Sequence, residues 1–204
     1  MANLGVLISG HGTNLQAIID AVNSGKINCK IKVVISNRKD AYGLERAKIN
    51  KIPAFYVSSK DKTDEEFDTI ILNILEEHKV ELVVLAGYLR ILTPKFIKKY
   101  EYRIINIHPA LLPAFGGKGY YGERVHDAVL NSGCKVSGCT VHFVTDEIDG
   151  GPIIAQTAVK VFDTDSPQDL AERILPYEHK TLIEAIKKIT EEKYVIQGKR
   201  VLFL

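Results

Sequence analysis

Asn106 and His108 stand two residues apart in the apolar run Ile104-Ile105-Asn106-Ile107-His108, and Pro109 follows at once. Side chains alternate in an extended chain, so residues 106 and 108 share a face. An amide N–H and a protonated imidazole converging on one point suit the oxyanion of a tetrahedral intermediate. A carboxylate beside the ring would raise its pKa and keep it cationic around neutral pH. The loop holding Asp146, Glu147 and Asp149, bent by Gly150-Gly151-Pro152, offers candidates, and one acid turned inward would serve. This combination fits acyl transfer without a covalent nucleophile, because the cluster contains neither cysteine nor serine. Taken alone, the segment also fits the more ordinary case of a hydrogen-bonded histidine at a strand end.

Two further polar clusters follow apolar runs. LISGHGTNLQAII places Gly10 and Gly12 between a strand and a helix, where free N–H groups and the helix dipole favour an anion. Thr13 and Asn14 add side-chain donors, and a phosphate is the natural guest. No Gly-Lys-Ser/Thr follows and the GxGxxG pattern is incomplete. The second strand ends in Ser36-Asn37-Arg38, with no carboxylate for a ribose before Asp40. A single phosphate on a small substrate therefore fits better than a dinucleotide, and a plain tight turn is the alternative. LAGYLRILTP leaves its strand through Gly87 and carries Arg90, which could equally be a solvated charge. The remaining histidines read as structural: His142 shares a strand face with Thr140 and Val144, His126 and His179 lie on helices, His78 ends one, and His11 lines the glycine loop.

The elements that must position these residues alternate along the chain. Strands are expected at 3–10, 30–37, 53–57, 80–86, 103–106, 139–145 and 153–162, with a hairpin at 193–204. Helices are expected at 14–23, 42–50, 63–78 with Thr63 as N-cap, 94–100, 121–131, and from Ser166-Pro167 to about Glu192, where Pro176 should kink the helix. Near-continuous apolar strands separated by helices predict α/β architecture: one Rossmann-like domain over 1–204, a mostly parallel sheet covered by helices on both faces. Ligands bind outside the carboxyl ends of such strands, so the three polar clusters are expected to share a cleft.

Composition excludes several classes. The net charge of +2 gives no bulk reason to bind nucleic acid, and no stretch approaches the roughly 20 apolar residues of a membrane span. Cys29, Cys134 and Cys139 show neither CxxC pairing nor zinc-ligand spacing, which fits free thiols, no metal and a cytoplasmic setting. The N-terminal apolar run lacks a preceding basic segment, so no signal peptide is expected.

Six segments in order, VLISGHGTNLQAIIDA, SNRKDAYGLERA, VVLAGYLRIL, INIHPALLPAF, VSGCTVHFVTDEIDGGPII and Glu178-His179, resemble the phosphoribosylglycinamide formyltransferases over almost the whole chain. The resemblance implies the formyltransferase version of the Rossmann-like sheet. It implies transfer of a formyl group from 10-formyltetrahydrofolate, as co-substrate, to the amine of glycinamide ribonucleotide in purine biosynthesis. It also implies roles. Asn106, His108 and Asp149 match the catalytic trio, and Gly12, Thr13 and Asn14 the phosphate loop. Gly87 and Glu178 match positions holding the glycinamide and ribose parts. Tyr88, Leu89, Arg90, Ile91 and Leu92, with Asn106, Val144 and Asp149, match the folate site. Small-molecule substrates, no membrane or nucleic-acid partner, and a monomer or homodimer are expected. Two positions depart from the family pattern: Asp64 where a basic residue is common, and Leu175 where glutamine is common. The loop from Phe115 to His126 is longer than in some members. Methionyl-tRNA formyltransferases and formyltetrahydrofolate deformylases share the Asn-x-His core but carry an extra domain that this sequence is not expected to have. A non-catalytic sensor is disfavoured by the intact trio.

Overall fold

The computed structural model describes residues 1–204. The elements are β1 (Ala2–Ile8), α1 (Thr13–Asn23), β2 (Cys29–Ser36), α2 (Tyr42–Ile49), β3 (Ala54–Tyr56), α3 (Asp64–Glu77), β4 (Leu82–Leu85), α4 (Pro94–Lys99), β5 (Ile104–His108), α5 (Glu123–Asn131), β6 (Val136–Phe143), β7 (Ile153–Lys160), α6 (Pro167–Glu191), β8 (Tyr194–Gln197) and β9 (Arg200–Phe203). The chain forms two compact units, Met1–Ile105 and Asn106–Leu204, and the division falls inside β5.

In the first unit the strands run β3-β2-β1-β4, and each of these neighbours pairs in parallel. Their sequences explain it. Val33, Val34 and Ile35 in β2, Val83 and Val84 in β4, and Leu4, Val6, Leu7 and Ile8 in β1 are wholly buried, as parallel strands with both faces covered require. The helices present one apolar stripe each. On α3, Phe67, Ile71 and Leu75 recur every four residues and are buried. Thr63 starts that helix with a full capping box, its hydroxyl taking the Glu66 N–H and the Glu66 carboxylate taking the Thr63 N–H. Thr93 caps α4, with Pro94 in its first turn. One acid enters this core: Asp68 accepts the Thr93 N–H at 2.7 Å. Burial lifts the Asp68 pKa, and the Thr93 contact only partly offsets it.

In the second unit β5 is followed across the sheet by β6, β7, β9 and β8. Here β6–β7 and β8–β9 are antiparallel, while β7–β9 is parallel. The fold is the expected α/β class with a mostly parallel sheet, and its antiparallel pairs come from one return and one terminal hairpin. β5 runs on to His108 rather than stopping at Asn106. The register of β6 against β7 shifts between Val141 and His142, a bulge beside the polar cluster. Ser166 and Asp169 form a capping box at the start of α6, which continues through Pro176 for 25 residues.

The turn after β5 is held by one hydroxyl. Thr140 Oγ1 donates to the Ala110 carbonyl at 2.7 Å and accepts from the Leu112 N–H and Gln156 Nε2, each at 3.0 Å. The residue is wholly buried, so Thr140→Val strands the Leu112 N–H and the Ala110 carbonyl at constant volume, while Gln156 keeps the Leu112 carbonyl at 2.9 Å. A loss of about 2–3 kcal/mol is expected, measured by urea unfolding, and a loss under half a kcal/mol would show that the turn does not depend on this hydroxyl.

Candidate active site

The second unit gathers Asn106, His108, His142 and Asp149. The pleat of β5 turns Asn106 and His108 to one side, and β6 supplies His142. Asn106 Nδ2 lies 3.2 Å from His142 Nε2, and His142 Nδ1 faces the Phe143 carbonyl at 2.9 Å. His142 Nε2 thus lies between the Asn106 amide and the Asp149 carboxylate, while Nδ1 is engaged by a backbone carbonyl. Asp149 stands between the rings, Oδ2 3.6 Å from His108 Nδ1 and Oδ1 3.6 Å from His142 Nε2. Its Oδ2 also accepts the Gly117 N–H at 2.9 Å. Asp149 adopts φ +54°, and Gly151, two residues on, has no room for a side chain: a Cβ there would meet the Phe143 carbonyl oxygen at 1.8 Å. The loop thus turns one of its three acids inward and leaves Asp146 and Glu147 exposed.

The electrostatics correct one expectation. Burial pushes the Asp149 carboxyl up, but His142, His108 and the Gly117 N–H together outweigh burial and hold it below the usual carboxylate range. Asp149 is charged. His108 goes the other way: burial lowers its pKa, and although Asp149 and the Phe115 carbonyl pull it back up, the net shift is downward. The acid is in place, yet the ring is not held cationic at neutral pH. His108 Nε2 is also engaged, 2.8 Å from the Phe115 carbonyl oxygen. Phe115 holds φ +55°, a conformation disfavoured for a bulky side chain. His108 must leave that carbonyl before Nε2 can donate elsewhere.

His142 belongs to the cluster, where the sequence reading assigned it only a structural hydrogen bond. The available signal was alternation, which sets it on one face of β6 with Thr140, two residues before Val144. Val144 itself is half-buried at the start of the 144–149 loop. His126 on α5 is buried, its Nδ1 lacks a partner, and burial together with the neighbouring His108 lowers its pKa to about 4. Glu178 on α6 is half-buried, close enough to Cys139 to help burial raise that thiol to about 11. Leu175 stands one turn earlier, half-buried.

The first unit carries the other predicted residues. Gly12, at φ +70°, is the N-cap of α1; no side chain caps this end, and its first turn holds no acid. Thr13 and Asn14 form the first turn. Ser9 ties this segment to the Gly87 loop: its N–H donates to the Gly87 carbonyl at 3.1 Å, and its hydroxyl accepts the Leu89 N–H at 2.9 Å while donating to Asn37 Oδ1 at 2.6 Å. Residues 88–92 divide by burial. Tyr88 and Leu92 face the core, the Tyr88 hydroxyl without a partner, whereas Leu89 and Ile91 are 56% and 64% exposed. Within this segment Leu89 and Ile91 thus offer the open apolar surface, and Tyr88 and Leu92 pack inward. Arg90 is ion-paired with Asp64 and stacks on the Phe67 ring at 4.3 Å. The departure at position 64 thus has a structural consequence: an acid sits on the guanidinium.

A sequence profile described as formyl transferase matches residues 2–186. The chain is 44% identical over 192 residues to the phosphoribosylglycinamide formyltransferase of Haemophilus influenzae, covering 94% of this chain and 88% of that protein. It is 42% identical over 192 residues to the chloroplastic phosphoribosylglycinamide formyltransferase of Arabidopsis thaliana, covering 93% of this chain but only 66% of the plant protein. Among solved structures, glycinamide ribonucleotide transformylase 1 from Symbiobacterium toebii superposes with a TM-score of 0.95 at 46% identity, covering 100% of this chain and 94% of that one. No helix is long and apolar enough to cross a membrane.

The buried imidazoles set a pH dependence of stability. His126 and His108 have folded pKa values below 6.5, so the unfolded chain binds more protons as pH falls. Their contribution is present above pH 6.5 and is lost as pH drops toward the folded value, about 4 for His126. Urea unfolding of His126→Leu between pH 7 and 4 should show a flatter decline than the parent, and identical slopes would remove His126 from the explanation.

Proposed function

The chain belongs to the formyl transferase family, and on that premise we propose that it is a cytoplasmic enzyme moving a formyl group from 10-formyltetrahydrofolate to the amine of glycinamide ribonucleotide in purine biosynthesis. The observation that carries this reading is the group Asn106, His108, His142 and Asp149, in which a charged, half-buried carboxylate lies 3.6 Å from each of two buried imidazoles. Acyl transfer to an amine needs donors for an oxyanion and a route for one proton, and this group contains both.

The amine attacks the formyl carbon, a C–N bond forms, and the carbonyl electron pair moves to oxygen. Asn106 Nδ2 and a His108 N–H donate to that oxygen. Negative charge growing beside the ring raises its proton affinity at the moment it is needed, so a histidine held neutral by burial still serves as donor. Asp149 and His108 take part in passing the proton lost by the amine, through water, to the leaving nitrogen of the folate, and Asp149 balances the charge His108 carries while it holds that proton. The bond from the formyl carbon to that nitrogen then breaks. Gly12, Thr13 and Asn14 bind the phosphate, whose remote binding energy positions the amine. Gly87 and Glu178 take the glycinamide and ribose. The exposed apolar Leu89 and Ile91, with Arg90, suit the flat ring and acidic tail of the folate.

Removing one oxyanion donor should lower kcat by about 100- to 1,000-fold. His108→Ala and Asn106→Ala are expected to lose at least that much while keeping a cooperative unfolding transition, in an assay offering glycinamide ribonucleotide, water and charged initiator tRNA as acceptors. Near-parental turnover in either variant, or preference for another acceptor, overturns the reading. Asp64→Asn should release Arg90 and lower the KM of the folate donor by about two- to fivefold, the worth of a partly exposed ion pair; a raised donor KM would mean that Asp64 itself assists binding.

A further inference from the structure

The segment Asn37 to Arg46 stands out in the sequence and has no part in the chemistry above, yet in the first unit it packs on the glycine loop. The Gly43 N–H donates to the Gly10 carbonyl at 3.2 Å, and a Cβ on Gly12 would stand 2.8 Å from Gly43 Cα, so the two backbones are in contact. Arg46, one turn along α2, adds a side-chain clamp. Its Nε donates to the His11 carbonyl at 2.8 Å and its Nη1 to Gln16 Oε1 at 3.1 Å. The guanidinium lies 5.0 Å from the centre of the Tyr42 ring, and Gln16 is anchored in turn by Asp20 at 2.9 Å. One planar fork therefore bridges the residue before Gly12 and the first turn of α1.

The peptide plane supplies the consequence. In a trans peptide the N–H points opposite to the C=O. With the His11 carbonyl drawn toward Arg46, the Gly12 N–H on the same plane is turned the other way, out of the α2 contact. We propose that Arg46 is a positioning residue for the phosphate of the acceptor substrate: by holding the His11–Gly12 peptide it aims the Gly12 N–H, beside the uncapped start of α1, at the phosphate oxygens. This inference rests on reading the loop as a phosphate site. It assigns Arg46 no contact with the reacting atoms. Lysine keeps the charge but cannot hold two acceptors in one plane, so charge and geometry are separable.

Steady-state kinetics with glycinamide ribonucleotide and with its dephosphorylated riboside test this. Arg46→Met should raise the KM of the phosphorylated acceptor by about tenfold, the effect of misaligning one hydrogen bond to a charged group. The kcat, the donor KM and the kcat/KM for the riboside should stay within twofold of the parent's, and inorganic phosphate should compete about tenfold less well. Arg46→Lys should recover only part of the KM. An equal loss with both acceptors, in Met or Lys variants that unfold cooperatively, marks a purely structural residue and overturns the inference. So does a Lys variant with the parent's KM, which would make charge alone sufficient. A parent enzyme that prefers the phosphorylated acceptor beside an indifferent Arg46→Met removes the inference and leaves the phosphate site standing. A parent that uses both acceptors equally removes the phosphate site and the inference together.

Discussion

Burial works against the charge on Asp149, and the contacts that keep it ionised fix the geometry of the second unit. The carboxylate needs the Gly117 N–H and two imidazoles around it. Those partners require the 115–117 loop to fold back on the strand, β6 to present His142 at its bulge, and the chain after Ile148 to take a left-handed residue with a glycine two positions on. A charge placed inside a protein without such partners would take up a proton instead. The trio is thus not three independent choices. Asn106 is oriented by His142 and His142 stands against Asp149. His108 lies between Asp149 and the Phe115 carbonyl.

The first unit solves a different problem, that of holding backbone donors still. Its loops follow β1, β2 and β4, whose parallel pairing places them side by side, and Ser9 links them through Asn37, Gly87 and Leu89. Loops are ordinarily the mobile parts of an α/β fold. Here backbone contact between Gly12 and Gly43 and a two-pronged guanidinium restrain the glycine loop after β1.

Most of the architecture was legible in the sequence because its signals are local. The Thr63 and Ser166 caps and the apolar periodicities of α3 and β1 lie within one element, and the structure places them within one to three residues of expectation. Strand alternation set Asn106 and His108 on one face, whereas turn chemistry left three acids open and only the family resemblance singled out Asp149. What escaped depends on contacts distant in sequence. The involvement of His142 needs β6 beside β5. The neutral state of His108 needs the extent of its burial, which a residue list does not contain. The inward turn of Tyr88 and Leu92, within a segment that reads as uniformly apolar, needs the packing of β4 and its loop. The pairing of Arg90 with Asp64 joins residues 26 apart, and only the fold brings them together.

That last pair changes how the protein responds to its surroundings. An anion arriving at a bare guanidinium gathers charge that dissolved salt can screen, and its binding weakens as ionic strength rises. At Arg90 a carboxylate is already in place, and on the proposed reading an incoming one would exchange with it. Salt loosens the resident and the newcomer alike, so the two effects oppose one another. Association at this position should then be nearly indifferent to ionic strength, a form of buffering built from a single acidic residue.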